Sequence, residues 1–259
     1  KRIKYHQVTM KIYLIYFLNF LIISNFKLFM DTQEYVIEFL SDEWIRNIAV
    51  TTICIFLYLF LGKFVSVKNK LNYAKIISFV LIFITLTNHG RLILNGNWNI
   101  SENLPLQLCS ISNLIACTIL FIPKNKTLFE FLFYAGIIGA IQAFLTPQIN
   151  YYDDSLYRYI EYHVTHAGII LLPIYMFQHL NYKLRKYSWL KMLLYLNILV
   201  AIIMPLNFQI DSNYMYIAYP PEVNNPLIIG EWPYYILFWE VIVLMFTYSL
   251  YVISTRKKV

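Results

Sequence analysis

Cys109 sits in the stretch Leu104–Asn113, which reads LPLQLCSISN, and it is the residue whose chemistry is easiest to name. A free thiol is a few per cent thiolate at neutral pH, and an adjacent imidazole raises that fraction. Such a pair can take an acyl group as a thioester and pass it on, the imidazole acting first as base and then as acid. Three histidines are candidates for that partner: His89, His163 and His166. Gln107, Asn113 and Arg91 are of the types that donate hydrogen bonds to an oxyanion, and Glu240 adds a carboxylate. Successive helical residues turn by about 100°, so Cys109, Ser112, Asn113 and Ala116 share one face. His163 and His166 share another.

These residues are held by elements that belong in a bilayer. Of the 259 residues, 59% are hydrophobic and 14% charged, and the mean hydropathy is +0.55. Soluble domains run at about 45–50% apolar and about 25% charged. A spanning helix needs roughly 20 mostly apolar residues. Runs of that kind cover 45–62, 76–94, 104–121, 128–145, 159–180, 189–206 and 234–253. The chain therefore reads as all-α, a polytopic transmembrane helical bundle of seven to eight helices. Residues 45–259 form the seven-helix part. Residues 1–44 hold a candidate first transmembrane helix over 12–29, interrupted by Asn19, Ser24, Asn25 and Lys27.

Charge orders the loops. Lys63, Lys68, Lys70 and Lys75, then Lys124 and Lys126, then Lys183, Arg185, Lys186 and Lys191, and finally Arg256, Lys257 and Lys258 alternate with neutral or acidic connections. The positive-inside rule places the basic loops in the cytoplasm. Both termini are then inside, and eight helices satisfy every loop. The localisation expected is the cell membrane, multi-pass. The net charge of +7 is accounted for by these loops and calls for no nucleic acid. The long connection 207–233 falls outside, where its Tyr214, Tyr216, Tyr219 and Trp232 read as an interface belt. Cys54, Cys109 and Cys117 lie in apolar runs without zinc-site spacing and are expected as free thiols.

With about 1.5 Å of rise per residue, Cys109 falls roughly 7 Å below the outer end of its run, and His163 and His166 roughly 6–11 Å into theirs. His89, Arg91 and Glu240 fall in the same outer layer. Ionisable residues in spans are costly and face the bundle interior. Each has a plainer alternative. A lone Cys is a small buried hydrophobe, Arg91 snorkels to headgroups, and Ser112 and Asn113 bind helices together. The stripe Ala135, Gly139, Ala143 reads as close helix packing.

The blocks LPLQLCSISNLIA (104–116), GIIGAIQAFLTP (136–147), HVTHAGIILLPIYM (163–176) and NYMYIAYPPE with PLIIGEWPYYIL (213–237) resemble, in order, the YwaF-type bacterial integral membrane proteins. That family is similar to a eukaryotic transmembrane cysteine acyltransferase of ether phospholipids. The resemblance implies a helical bundle in which a Cys–His pair moves an acyl chain between membrane phospholipids. By motif the Cys is Cys109 and the His is His166. His89, Arg91, Gln107, Asn113, His163 and Glu240 would then surround the substrate, with no cofactor and no metal. The family's His near the start of its first helix has no counterpart here, where the chain reads LSDEWIRNIAV. Two alternatives come from other classes. One is a small-solute transporter, whose sites usually lie near the midplane. The other is a metalloenzyme using His89, His163 and His166.

Overall fold

The computed structural model describes residues 34–150, 152, 154–221 and 225–256. The candidate helix at 12–29 lies outside them. Nine α-helices follow one another among the described residues: α1 (Asp42–Gly62), α2 (Lys70–Leu94), α3 (Ile100–Asn103), α4 (Leu108–Thr118), α5 (Lys126–Phe131), α6 (Ile137–Leu145), α7 (Leu156–His179), α8 (Ser188–Ile210) and α9 (Tyr234–Thr255). A π-helical turn, Leu132–Gly136, joins α5 to α6 into one rod. A short antiparallel pair, β1 (Tyr35–Val36) with β2 (Gln148–Ile149), ties the segment before α1 to the connection between α6 and α7.

The helix starts have local causes. Ser41 Oγ accepts from Trp44 N at 3.2 Å, and Asp42 and Glu43 in the first turn complement the helix dipole. Ser155 caps α7 by accepting from Arg158 N at 3.1 Å, and Asn125 caps α5 through Thr127 N and Leu128 N. The end of α2 is released by Gly96, at φ +68°.

Five helical runs are long and apolar enough to cross a membrane: 42–62, 67–94, 126–145, 188–210 and 234–255. Two of the runs read from the sequence differ from these. The third, expected over 104–121, is helical only from Leu108 to Thr118. Pro105 is the reason. The residue before a proline is pushed out of the helical region, and Leu104 lies at φ −64°, ψ 142°. Leu106 N then closes a tight turn on Leu104 O at 2.7 Å. At 1.5 Å per residue, α4 is only about 16 Å long. The other is α7, which spends its first three turns on Arg158, Glu161, His163 and His166.

The α5–π–α6 rod runs through the middle. Phe129, Leu132, Tyr134 and Ala140 on it are fully buried. Around it, α7 packs on α1, α2, α4 and α6, while α9 packs chiefly on α8. Gly168 lets α7 approach α2, since a Cβ there would lie 2.7 Å from Leu81 Cδ2. The outward surfaces carry Phe56, Phe83, Leu86, Leu237 and Met245, all largely exposed, which suits hydrocarbon rather than water.

The two ends of the bundle differ in chemistry. At one end Lys124 Nζ donates to Asn181 O at 2.9 Å, and Arg185 grips the buried carboxylate of Glu130 and the Thr127 hydroxyl. This end gathers the basic loops. The other end gathers the starts of α1, α4 and α7, and there the candidate site lies.

Candidate active site around Cys109

Cys109 is the second residue of α4, in its first turn rather than part-way down a longer helix. The N-cap residue, Gln107, does not cap its own helix. Its Oε1 is turned to the loop after α8, where it accepts from Met215 N at 2.7 Å. The N–H groups of Leu108, Cys109 and Ser110 consequently have no hydrogen-bond acceptor among the described residues, the first bond of the helix being Ile111 N to Gln107 O at 2.9 Å. The thiol is free. It packs on α6, where a Cβ placed on Gly139 would stand 3.2 Å from Sγ. The Tyr162 hydroxyl from α7 and the Tyr216 hydroxyl from the α8–α9 loop lie within electrostatic reach of it.

On α7, His166 Nδ1 lies 2.6 Å from Tyr162 O and His163 Nδ1 lies 2.8 Å from Tyr159 O. A carbonyl only accepts, so in both rings Nδ1 carries the hydrogen. The neutral ring then holds its lone pair at Nε2, the tautomer a general base requires. Neither Nε2 has a hydrogen-bond partner among the described residues. Tyr162 links the two histidines to α6. Its ring lies 4.3 Å from His166 and 5.3 Å from His163, and its hydroxyl donates to Ala143 O at 2.7 Å. Phe144 covers both rings at about 6 Å. No hydrogen bond joins Cys109 Sγ to His166 or His163; the thiol and the imidazoles share Tyr162 as a neighbour.

Sequence reasoning missed a polar network beside His163. Tyr159, whose ring lies 4.7 Å from that of His163, donates its hydroxyl to Glu43 Oε1 at 2.7 Å and accepts from Asn47 Nδ2 at 2.6 Å and Arg46 at 3.2 Å. Tyr35 donates to the other oxygen of Glu43 at 2.8 Å. That carboxylate pushes the Tyr35 hydroxyl up to about 12, so the hydroxyl stays protonated and keeps donating at neutral pH. A signal was present: Glu43, Arg46 and Asn47 stand at i, i+3 and i+4, one face of α1.

The remaining predicted residues are placed as follows. Arg91 reaches from the end of α2 to Ser155 Oγ at 3.5 Å and lies over the Tyr157 ring at 4.5 Å. His89 Nδ1 accepts from Trp98 Nε1 at 3.2 Å. Asn113 donates to Thr85 Oγ1 at 2.8 Å and so ties α4 to α2. Glu240 accepts from Asn197 Nδ2 at 3.0 Å, between α8 and α9, and touches neither Cys109 nor the histidines by hydrogen bond. Among the described residues no three His, Cys, Asp or Glu side chains converge as metal ligands. The belt reading fails for two loop tyrosines. Tyr214 is 1% exposed, and Tyr216 is turned inward. Tyr219 and Trp232 do stay exposed.

No curated protein and no solved structure matches the chain. A family profile does: that of the TMEM164 family, over residues 39–251. The match is to the family as a whole and carries no YwaF-type subdivision. It begins just before α1, ends in the last turns of α9 and includes every candidate residue named above. This polytopic, largely helical integral membrane protein belongs to the TMEM164 family.

Proposed function

We propose that the protein is a cysteine-dependent acyltransferase acting on membrane phospholipids at the outer leaflet of the cell membrane. The observation that carries this reading is the position of Cys109 in the first turn of α4, beside three backbone N–H groups with no acceptor. A helix start concentrates partial positive charge. Backbone donors there suit an ester oxygen that becomes negative as a nucleophile attacks its carbonyl.

In the first step His166 Nε2 takes the Cys109 proton, sulfur bonds to the ester carbon, and the carbonyl π pair moves onto oxygen. Collapse restores the carbonyl and breaks the bond to the glycerol oxygen. That oxygen takes the proton from His166 and leaves as a lysophospholipid. In the second step a lysophospholipid hydroxyl gives its proton to His166 and attacks the thioester, returning the thiol. Tyr162, which holds Ala143 on one side and packs against His166 on the other, fixes the imidazole relative to α6.

Acyl exchange between a labelled phospholipid and a lysophospholipid in reconstituted vesicles tests the reading. Cys109→Ala and His166→Ala are each expected to abolish exchange, and Cys54→Ala and Cys117→Ala to leave it intact. Undiminished exchange by folded, inserted Cys109→Ala would eliminate covalent catalysis through this thiol.

A further inference from the structure

We propose that Tyr216, on the loop between α8 and α9, donates its hydroxyl hydrogen to the oxygen that becomes negative when Cys109 is acylated. The proposal rests on the acyl-transfer reading and names a catalytic donor for it outside the helices.

The loop is fixed where this residue occurs. Asn207, near the end of α8, accepts from Tyr214 N at 2.9 Å and donates to Tyr214 O at 2.9 Å. The Tyr214 hydroxyl donates to Ile100 O at 2.7 Å and accepts from Leu104 N at 2.8 Å. Met215 N is held by Gln107, two residues before Cys109. Met215 and Tyr216 both take left-handed backbone conformations, at φ 60° and 53°. With that reversal Met215 N faces Gln107, at the start of α4, and the Tyr216 hydroxyl meets Asn150, on the connection between α6 and α7.

The direction of its hydrogen bonds follows from a relay. Glu34 is a carboxylate and only accepts, so Gln148 must point its amide nitrogen at it, at 2.6 Å. The same nitrogen donates to Asn150 Oδ1 at 3.1 Å. This orients the Asn150 amide, whose Nδ2 donates to the Tyr216 oxygen at 3.1 Å. Tyr216 is therefore the acceptor in that bond, and its own hydrogen has no acceptor among the described residues. Tyr162, the other hydroxyl near the thiol, has already given its hydrogen to Ala143 O. Tyr216 thus has a hydrogen to donate, and its neighbour Met215 is bound at 2.7 Å to Gln107, two residues before Cys109. Burial pushes the Tyr216 pKa up, which keeps that hydrogen in place at neutral pH.

The test is the single-turnover rate at which Cys109 of the full-length protein is acylated in phosphatidylcholine vesicles. Tyr216→Phe is expected to insert normally and leave KM unchanged. Its acylation rate is expected to fall by about 10²–10³, the range for loss of one oxyanion donor. Asn150→Ala keeps the hydroxyl but removes the bond that orients it, and is expected to fall by a smaller factor. It also reads the same role if Tyr216→Phe inserts poorly. Acylation at the wild-type rate in these variants overturns the role of Tyr216 while leaving the acyl-transfer reading standing. A wild-type protein that never acylates Cys109 overturns both.

Discussion

The Cys109 sulfur rests against the α-carbon of Gly139, so closely that a methyl group on that carbon would stand 3.2 Å from it. That added contact would be tighter than ordinary van der Waals packing, so the glycine leaves the thiol its place between α4 and α6. Alanine is the better helix former by about 1 kcal/mol, so Gly139→Ala is expected to leave thermal unfolding in detergent unchanged or slightly raised. The displaced sulfur should cost at least tenfold in acyl exchange, as misplacements of about 1 Å can cost more than that. Full activity in a stable Gly139→Ala protein would show that the thiol's position is not critical.

His166 and Cys109 are expected to act as a unit. Groups that carry out one step together lose nearly everything when either is removed, so their effects do not add. The double variant Cys109→Ala/His166→Ala should exchange acyl chains no more slowly than either single variant. His163→Ala should be milder, because that ring lies toward Tyr159 and Glu43. Residual rates that multiply would indicate independent roles.

At the opposite end, Glu130 is 2% exposed and the Arg185 side chain binds both of its oxygens, with Arg185 N adding a further bond at 2.7 Å. Removing one member of a buried pair typically costs about 3–5 kcal/mol. The Arg185 side chain is 36% exposed, so Glu130→Ala should fall at the lower end, near about 3 kcal/mol. Denaturant unfolding in detergent measures this. The fraction that remains folded should keep its acyl exchange, since the pair lies far from Cys109 in the bundle.

Helix placement was legible because each membrane run is long and apolar, and every one of the seven read from the sequence contains a helix in the structure. The boundary of α4 was not. A proline at the head of an apolar run can be helical at its first turn, and only backbone geometry shows that Leu104–Gln107 is an extended turn here. That difference moved Cys109 from part-way down a helix to its first turn and exposed the backbone donors. The loop tyrosines were misread because aromatic residues at an interface look alike in sequence. Whether one faces lipid or folds back over α4 depends on contacts made by Gln107 and Asn150, more than sixty residues away in the chain. Glu43, Arg46 and Asn47 were legible as a helix face, but their partner Tyr159 is over one hundred residues distant.

The basic loops gather at the end of the bundle opposite Cys109, and the positive-inside rule places that end in the cytoplasm. A reporter fused after Arg256 should accordingly be active only on the cytoplasmic side. Activity restricted to the outside would place Cys109 at the inner leaflet and contradict the outer-leaflet part of the proposal.

Covalent acyl transfer requires an acyl chain to reside on Cys109 between donor and acceptor. Intact-mass and peptide mass spectrometry of the reconstituted protein, supplied with phospholipid but no acceptor, tests it most directly. A hydroxylamine-labile acyl adduct is expected on Cys109, absent from Cys54 and Cys117, and it should disappear when lysophospholipid is added. Acyl exchange that proceeds with Cys109 unmodified throughout would contradict it.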